Sequence, residues 1–224
     1  MAITRRIFVS GAVAAPLVAQ LGGSGSAVAT AQPGDQNLTV LNGLAELQLT
    51  DLALKQLATQ GIRMQAVAPA TAIMGSDGRT VQGVKLTPEY TTGTVKPTGQ
   101  PGTGRGRVFG GVVLVNDKAR MEISGLRGGL PDSRVFAFLK VGDEWLGELP
   151  LYTADPSKVR LSLKTGAPGQ PTAVQGSGIS VTPTQEGLDA FSKAFGTALF
   201  TTKDTVFTAS AQGNAWPLPS QPAG

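Results

Sequence analysis

The sequence predicts a mainly β protein: a β-sandwich carrying two short helices in a repeated strand–helix–strand plan. Three observations predict it. Short apolar runs alternate with period two; 30 glycines and 15 prolines divide the 224 residues into many turns; and the period lengthens to the 3, 4 spacing of a helix face in two places, each near a threonine. A chain of this length can bury a substantial core. Cysteine is absent, so stability rests on apolar burial rather than on disulfides.

The first unit runs from Asn37 to about Ile73. Leu44 to Leu49 alternates as a strand with one buried face does. Thr50 and Asp51 offer an N-cap and first-turn acid, Leu54, Leu57 and Ala58 line a helix face, and Gly61 is the stop signal. Ile62 to Val67 alternates again, and Pro69 closes the unit. Near the C-terminus the plan recurs. Gly178 to Val181 is a strand, and Thr182-Pro183 reads as a helix start with proline in the first turn. Leu188, Phe191, Ala194 and Phe195 form the apolar face, Gly196 stops the helix, and Leu199 to Ala209 follows as a strand with a turn at Lys203-Asp204.

Between the units the sequence is strand-rich. Arg79 to Leu86 is followed by a Gly/Pro/Thr loop over Thr91 to Gly106. Arg107 to Val115 and Lys118 to Leu126 read as a hairpin across Asn116-Asp117, and Arg134 to Val141, Trp145 to Thr153 and Val159 to Lys164 supply further strands. The reading is one β-rich extracellular domain over residues 37–211, with residues 212–224 as a disordered tail.

Residues 1–29 read as a removable export signal. Arg5 and Arg6 are the only charges before Asp35, Ile7 to Leu21 is apolar but broken by Pro16, and Ala27-Val28-Ala29 is a small-x-small cleavage site, with cleavage after Ala29 or Ala31. Thr4-Arg5-Arg6-Ile7-Phe8-Val9 follows the twin-arginine pattern. A spanning helix needs about 20 predominantly apolar residues, and this run is shorter. The expected destination is extracellular or wall-associated, with no membrane attachment after cleavage. Removing two arginines and no acids leaves 17 basic against 15 acidic residues, a balance of +2. A near-neutral domain without clustered charge is a poor nucleic-acid binder.

The chain contains no histidine. Ser-His-Asp and Cys-His catalysis and imidazole metal sites are therefore excluded, and without cysteine so are zinc, iron–sulfur and blue-copper centres. The Gly-rich stretch Pro101 to Arg107 precedes a strand and lacks the Lys-Ser/Thr pair of a phosphate loop. No Ser-x-x-Lys occurs, and Ser157-Lys158 and Ser192-Lys193 are adjacent pairs whose side chains diverge. Carboxylate catalysis remains formally open, because Asp143, Glu144 and Glu148 flank Trp145. Within one regular strand Glu144 and Glu148 would share a face about 13 Å apart, beyond the roughly 5–9.5 Å of a glycosidase pair. Arg105, Arg107, Arg120 and Arg127 are the one basic grouping that a hairpin would bring to a common surface. Tyr90 and Tyr152 are the only residues able to offer a tyrosinate to haem iron.

Three motifs carry a resemblance. Leu47-x-Leu49-Thr50-x-x-x-Leu54-x-x-Leu57-x-x-x-Gly61-Ile62, followed by Ala66-Val-Ala-Pro-Ala70, opens the pattern. The run Arg107 to Leu126 and the closing Val181-Thr-Pro-Thr-x-Glu-Gly-Leu-x-Ala-Phe191 complete it. Together they are similar to secreted actinobacterial β-rich domains of the HtaA-like kind, over most of Asn37 to Ala211. The resemblance implies an extracellular β module, some of whose relatives bind haem. In such domains a histidine often stands two residues before the Gly-Gly pair; Val108 holds that place here. The expected function is a secreted, non-enzymatic binding protein without a cofactor. Its partner would be a wall polymer, a surface protein or a small ligand, met on a surface that includes Tyr90, Arg107, Trp145 and Tyr152. The alternatives are a carboxylate-dependent extracellular hydrolase and a haem-binding domain that has lost its histidine.

Overall fold

The computed structural model describes residues 36–96, 101–164, 167 and 170–217. The segment read as an export signal, with Arg5, Arg6, Ala27 and Ala29, lies outside the described residues. Twelve strands and two helices follow in the order β1 (Gln36–Leu49), α1 (Asp51–Thr59), β2 (Arg63–Val67), β3 (Thr71–Met74), β4 (Val81–Val95), β5 (Pro101–Phe109) and β6 (Gly111–Val115). Then come β7 (Arg120–Leu130), β8 (Arg134–Val141), β9 (Glu144–Asp155), β10 (Arg160–Lys164), β11 (Thr172–Pro183), α2 (Gln185–Phe195) and β12 (Phe207–Pro217). The protein is mainly β with two helices, as the sequence predicts.

One antiparallel sheet supplies both faces of the sandwich-like core. Its order is β2-β6-β7-β5-β4-β1-β12-β11-β9-β8, and β8 returns to pair with β7, so the sheet closes on itself. β3 adds to β4 and β10 to β11. Inside lies a main core built from Leu47, Val84, Leu86, Ile123, Leu139 and Leu151 with α1 and α2 packed on it through Leu57 and Phe191. A smaller core of Leu38, Val95, Leu161, Val174 and Ala215 fills the opposite end.

Two bulges join these cores. β1 carries one extra residue against β12 between Leu41 and Leu44, and β11 does the same between Gly176 and Ile179. Side chains alternate with period two, so one extra residue switches which parity faces inward. Leu38 is therefore inward before the bulge and Leu47 after it, while β12, unbulged between them, keeps Phe207, Ala211 and Ala215 inward throughout.

The two units are more alike than the sequence spacing suggests. Each helix is capped by a threonine whose hydroxyl accepts from the backbone N–H three residues on, Thr50 from Ala53 at 3.2 Å and Thr184 from Gly187 at 3.0 Å. Each cap also donates twice to a neighbouring strand or loop. Thr50 donates to the carbonyls of Val206 and Thr205, and Thr184 to those of Leu151 and Pro150. The second helix thus starts at Thr184, not at Thr182-Pro183, because Thr182 and Pro183 are still paired with Thr153 and Tyr152.

Three further expectations are corrected. Thr91 to Gly106 is not one long loop: β4 continues to Val95 and β5 begins at Pro101, with Gly93 opposite Gly104. Thr91 and Thr94 are buried there, and backbone pairing sustains strands whose side chains look like loop. Leu199 to Ala209 is strand only from Phe207; before that, Phe200 packs on the core and Asp204 ties off a turn by accepting from Thr201. Residues 212–217 are strand rather than tail, since β12 is held between β1 and β11, with Ala215 fully buried.

Candidate functional site

β4, β5, β7, β8 and β9 turn one continuous face outward. Direct cross-strand pairing aligns Tyr90, Arg107, Arg127, Phe136 and Pro150 in a single row. Opposed residues of an antiparallel pair project to the same side, so these five share the outer surface. One step along the strands, Ser124, Phe138 and Glu148 form a second row, and Glu122, Lys140 and Trp145 a third. Phe109 ends β5 on the same side, two residues beyond Arg107.

The face is aromatic and open. Trp145 is 60% exposed, Phe109 47% and Phe138 37%. The Lys140 ammonium lies 5.9 Å from the Trp145 ring centroid. Between Phe138 and Arg107 lies Gly125, in the left-handed conformation at φ 60°, where a Cβ would come within 3.1 Å of the Phe138 ring. Glycine is the residue that adopts this backbone without strain. Its lack of a side chain also lets the Phe138 ring lie across β7.

Most of the charge on this face is paired. Arg127 is buried, forms a two-pronged ion pair with Glu148 across β8, and places its guanidinium 4.7 Å from the Phe136 ring centroid. Arg107 pairs with Glu89 at 3.4 Å, Arg120 with Glu122 at 2.8 Å and Lys140 with Asp143 at 3.7 Å. The grouping of arginines expected from the hairpin is thus divided. Arg107 and Arg127 are directly opposed, Arg120 sits at the other end of β7, and three of the four hold acids.

The carboxylates flanking Trp145 do not converge. Leu146 is an extra residue on β9 opposite Leu139 and Lys140, and this bulge reverses the parity of the strand. Glu148 therefore stands beside Phe138 on the outer face, whereas Glu144 reaches α2 and binds Lys193 at 2.9 and 3.0 Å. Asp143 is fully exposed at the hairpin turn. Each acid has its own cation, and among the described residues no cluster of three or more metal-ligating side chains forms.

Of the four residues singled out in the sequence, three lie on this outer face: Tyr90 and Arg107 as direct partners, and Trp145 three strands away. Tyr152 is on the other side of the sheet. It opposes the buried Val135 and packs edge-on against Phe207 with centroids 5.6 Å apart. Burial pushes its phenol well above the ordinary tyrosine range. It lines an apolar cavity of about 30 Å³ at the helical end of the sheet, among Leu57, Met121, Leu188, Phe191 and Phe207. Sequence reasoning missed Phe109, Phe136 and Phe138. The alternation Phe136-Ala137-Phe138-Leu139-Lys140 carried the signal, since small and aliphatic residues at the buried positions put both rings outside.

No known family model and no curated protein matches the chain. The crystal structure of the C-terminal domain of HtaA from Corynebacterium glutamicum superposes at a TM-score of 0.46 with 14% identity, covering 80% of this chain and 99% of that one.

Proposed function

We propose that the chain is a secreted, non-enzymatic binding protein that works at the cell surface or beyond it, and that its ligand surface is the outer face of β4, β5, β7, β8 and β9. The observation that carries this reading is the exposure of Trp145, Phe138 and Phe109 on one sheet face where most charges are already paired. Tryptophan and phenylalanine are among the residues enriched where proteins meet their partners, and three of them stand exposed on this one face. Tyr90 and Arg107 belong to this surface, and Tyr152 does not.

A hydrolase finds little support. Glycoside hydrolysis needs two carboxyl groups facing one another across the scissile bond, whereas Glu144 and Glu148 diverge to Lys193 and Arg127. Haem is the weaker reading: the chain has no histidine, burial of Tyr152 favours its protonated form, and Tyr90 is a partly buried cross-strand neighbour of Arg107.

Export and binding are tested together. The full chain should be recovered outside the cytoplasm, and changing Arg5 and Arg6 both to Lys should leave it inside. Purified full chain should be retained by isolated cell envelope, and a Phe138→Ala, Trp145→Ala double variant should not. Equal retention of both proteins, or no retention of either, would remove this face as the ligand surface.

A further inference from the structure

We propose that the ligand is a neutral polysaccharide lying across β8 and β9, stacked on Trp145 and Phe138; the inference rests on the binding role assigned above to this face. Three features select that chemistry. First, the exposed rings stand on separate strands of one sheet face rather than in one apolar patch. Phe138 and Trp145 occupy diagonal positions on neighbouring strands, about 7–8 Å apart, and polar side chains surround both. A protein partner that buries a hot spot asks for the reverse, a desolvated apolar centre with a polar rim. A pyranose ring presents a C–H face that suits the negative face of an indole or phenyl ring, and hydroxyls around its edge.

Second, the groups beside the rings are hydrogen-bonding pairs. Glu148 stands directly opposite Phe138, and Lys140 directly opposite Trp145 with its ammonium near the ring. A carboxylate accepts and an ammonium donates, which answers the mixed donor and acceptor character of sugar hydroxyls on both sides of the stacking residues. Glu148 is held in place by Arg127, whose guanidinium is itself covered by Phe136. The acceptor is therefore preorganised and loses little rotamer freedom on binding.

Third, the charge balance matches a neutral partner. Arg107, Arg120, Arg127 and Lys140 each hold an acid on this face, and Arg105 adds one further cation. Apart from Arg105, a polyanion would compete with acids already seated beside these cations, whereas a neutral chain meets the pairs as they stand.

The test is co-sedimentation of the full chain with insoluble neutral glucan and arabinogalactan, and with cell envelope treated separately with protease and with periodate. Binding to at least one neutral polysaccharide is expected, with a change below about twofold between about 50 and about 500 mM NaCl, because no counterions are released. Trp145→Ala and Phe138→Ala should each weaken it at least about tenfold, with an unchanged thermal midpoint showing that both variants fold. Periodate, which cleaves sugar diols, should abolish envelope binding, and protease should spare it. Three results would overturn the proposal: envelope binding lost to protease but not periodate, binding only to an anionic polymer with steep salt dependence, or self-association that Trp145→Ala disrupts while no polysaccharide is retained. In the first of these the binding role of the face survives; absence of any envelope binding removes both.

Discussion

Arg127 is a buried arginine on the outer side of a sheet, which requires payment in partners rather than in apolar contacts. Glu148 supplies two hydrogen bonds and Phe136 covers the guanidinium face. Removing the carboxylate strips a buried cation of its main counter-charge, whereas replacing the pair by apolar side chains removes the need for one. Glu148→Gln should therefore destabilise by about 2 kcal/mol, less than the full cost of a deeply buried pair because Glu148 retains some solvent. An Arg127→Met, Glu148→Leu double variant should recover most of that loss in urea denaturation. Asp77 offers a second residue-level prediction. It is exposed, yet its carboxyl accepts from the Thr80 hydroxyl and from the Arg79 and Thr80 backbone N–H groups. These bonds favour the charged form and lower its pKa to about 2, with the Thr80 side chain the largest contributor. The depressed value means that the turn's contribution is present above the ordinary carboxyl range and is lost as pH falls through about 2. NMR titration should find the Asp77 midpoint near there, and Thr80→Val should move it upward.

The helices are fixed by their first residues. Thr50 and Thr184 each close a helix N-terminus and also bridge to a neighbouring backbone, so Thr50→Ala and Thr184→Ala should each cost about 1–2 kcal/mol, read as shifts in denaturant midpoint at constant slope. Gly187 lets α2 settle on β9: a Cβ there would lie 2.3 Å from the Leu151 carbonyl oxygen. Gly187→Ala should lift the helix and lower the thermal midpoint by more than the Thr184→Ala variant does. Much of this level was legible. The Thr50 cap, the apolar face of α2, the Gly196 stop and the boundaries of β8 appear in the sequence as local chemistry, whereas on α1 Leu54 and Leu57 face the core but Ala58 is exposed and Ala53 is buried in its place. What failed was the strand content of Thr91 to Gly106 and of residues 212–217. Those segments owe their conformation to neighbours distant in sequence, not to the alternation of their own side chains.

At the scale of the whole molecule, the pairing of β8, the last strand in the sheet order, with β7 closes the sheet and gives it an inside and an outside. Tyr152 is on the inside. Its raised pKa means the folded state keeps a proton that the unfolded chain releases. The associated stability is complete below the unfolded value near 10 and is lost as pH rises through the higher folded value. Alkaline unfolding should thus coincide with the appearance of Tyr152 phenolate absorbance, and Tyr152→Phe should flatten the alkaline arm of the stability curve. The sequence by itself determined the mainly β class, the two helices and the exclusion of histidine and cysteine chemistry, because each depends on local pattern or on residues being absent. Only the tertiary structure decided the candidate site. A one-residue bulge at Leu146 parts Glu144 from Glu148, another after Ser124 sets Arg127 against Phe136, and the register of five strands joins Tyr90 to Arg107 while turning Tyr152 away. With a period of two, one inserted residue is enough to move a side chain from one face of a sheet to the other.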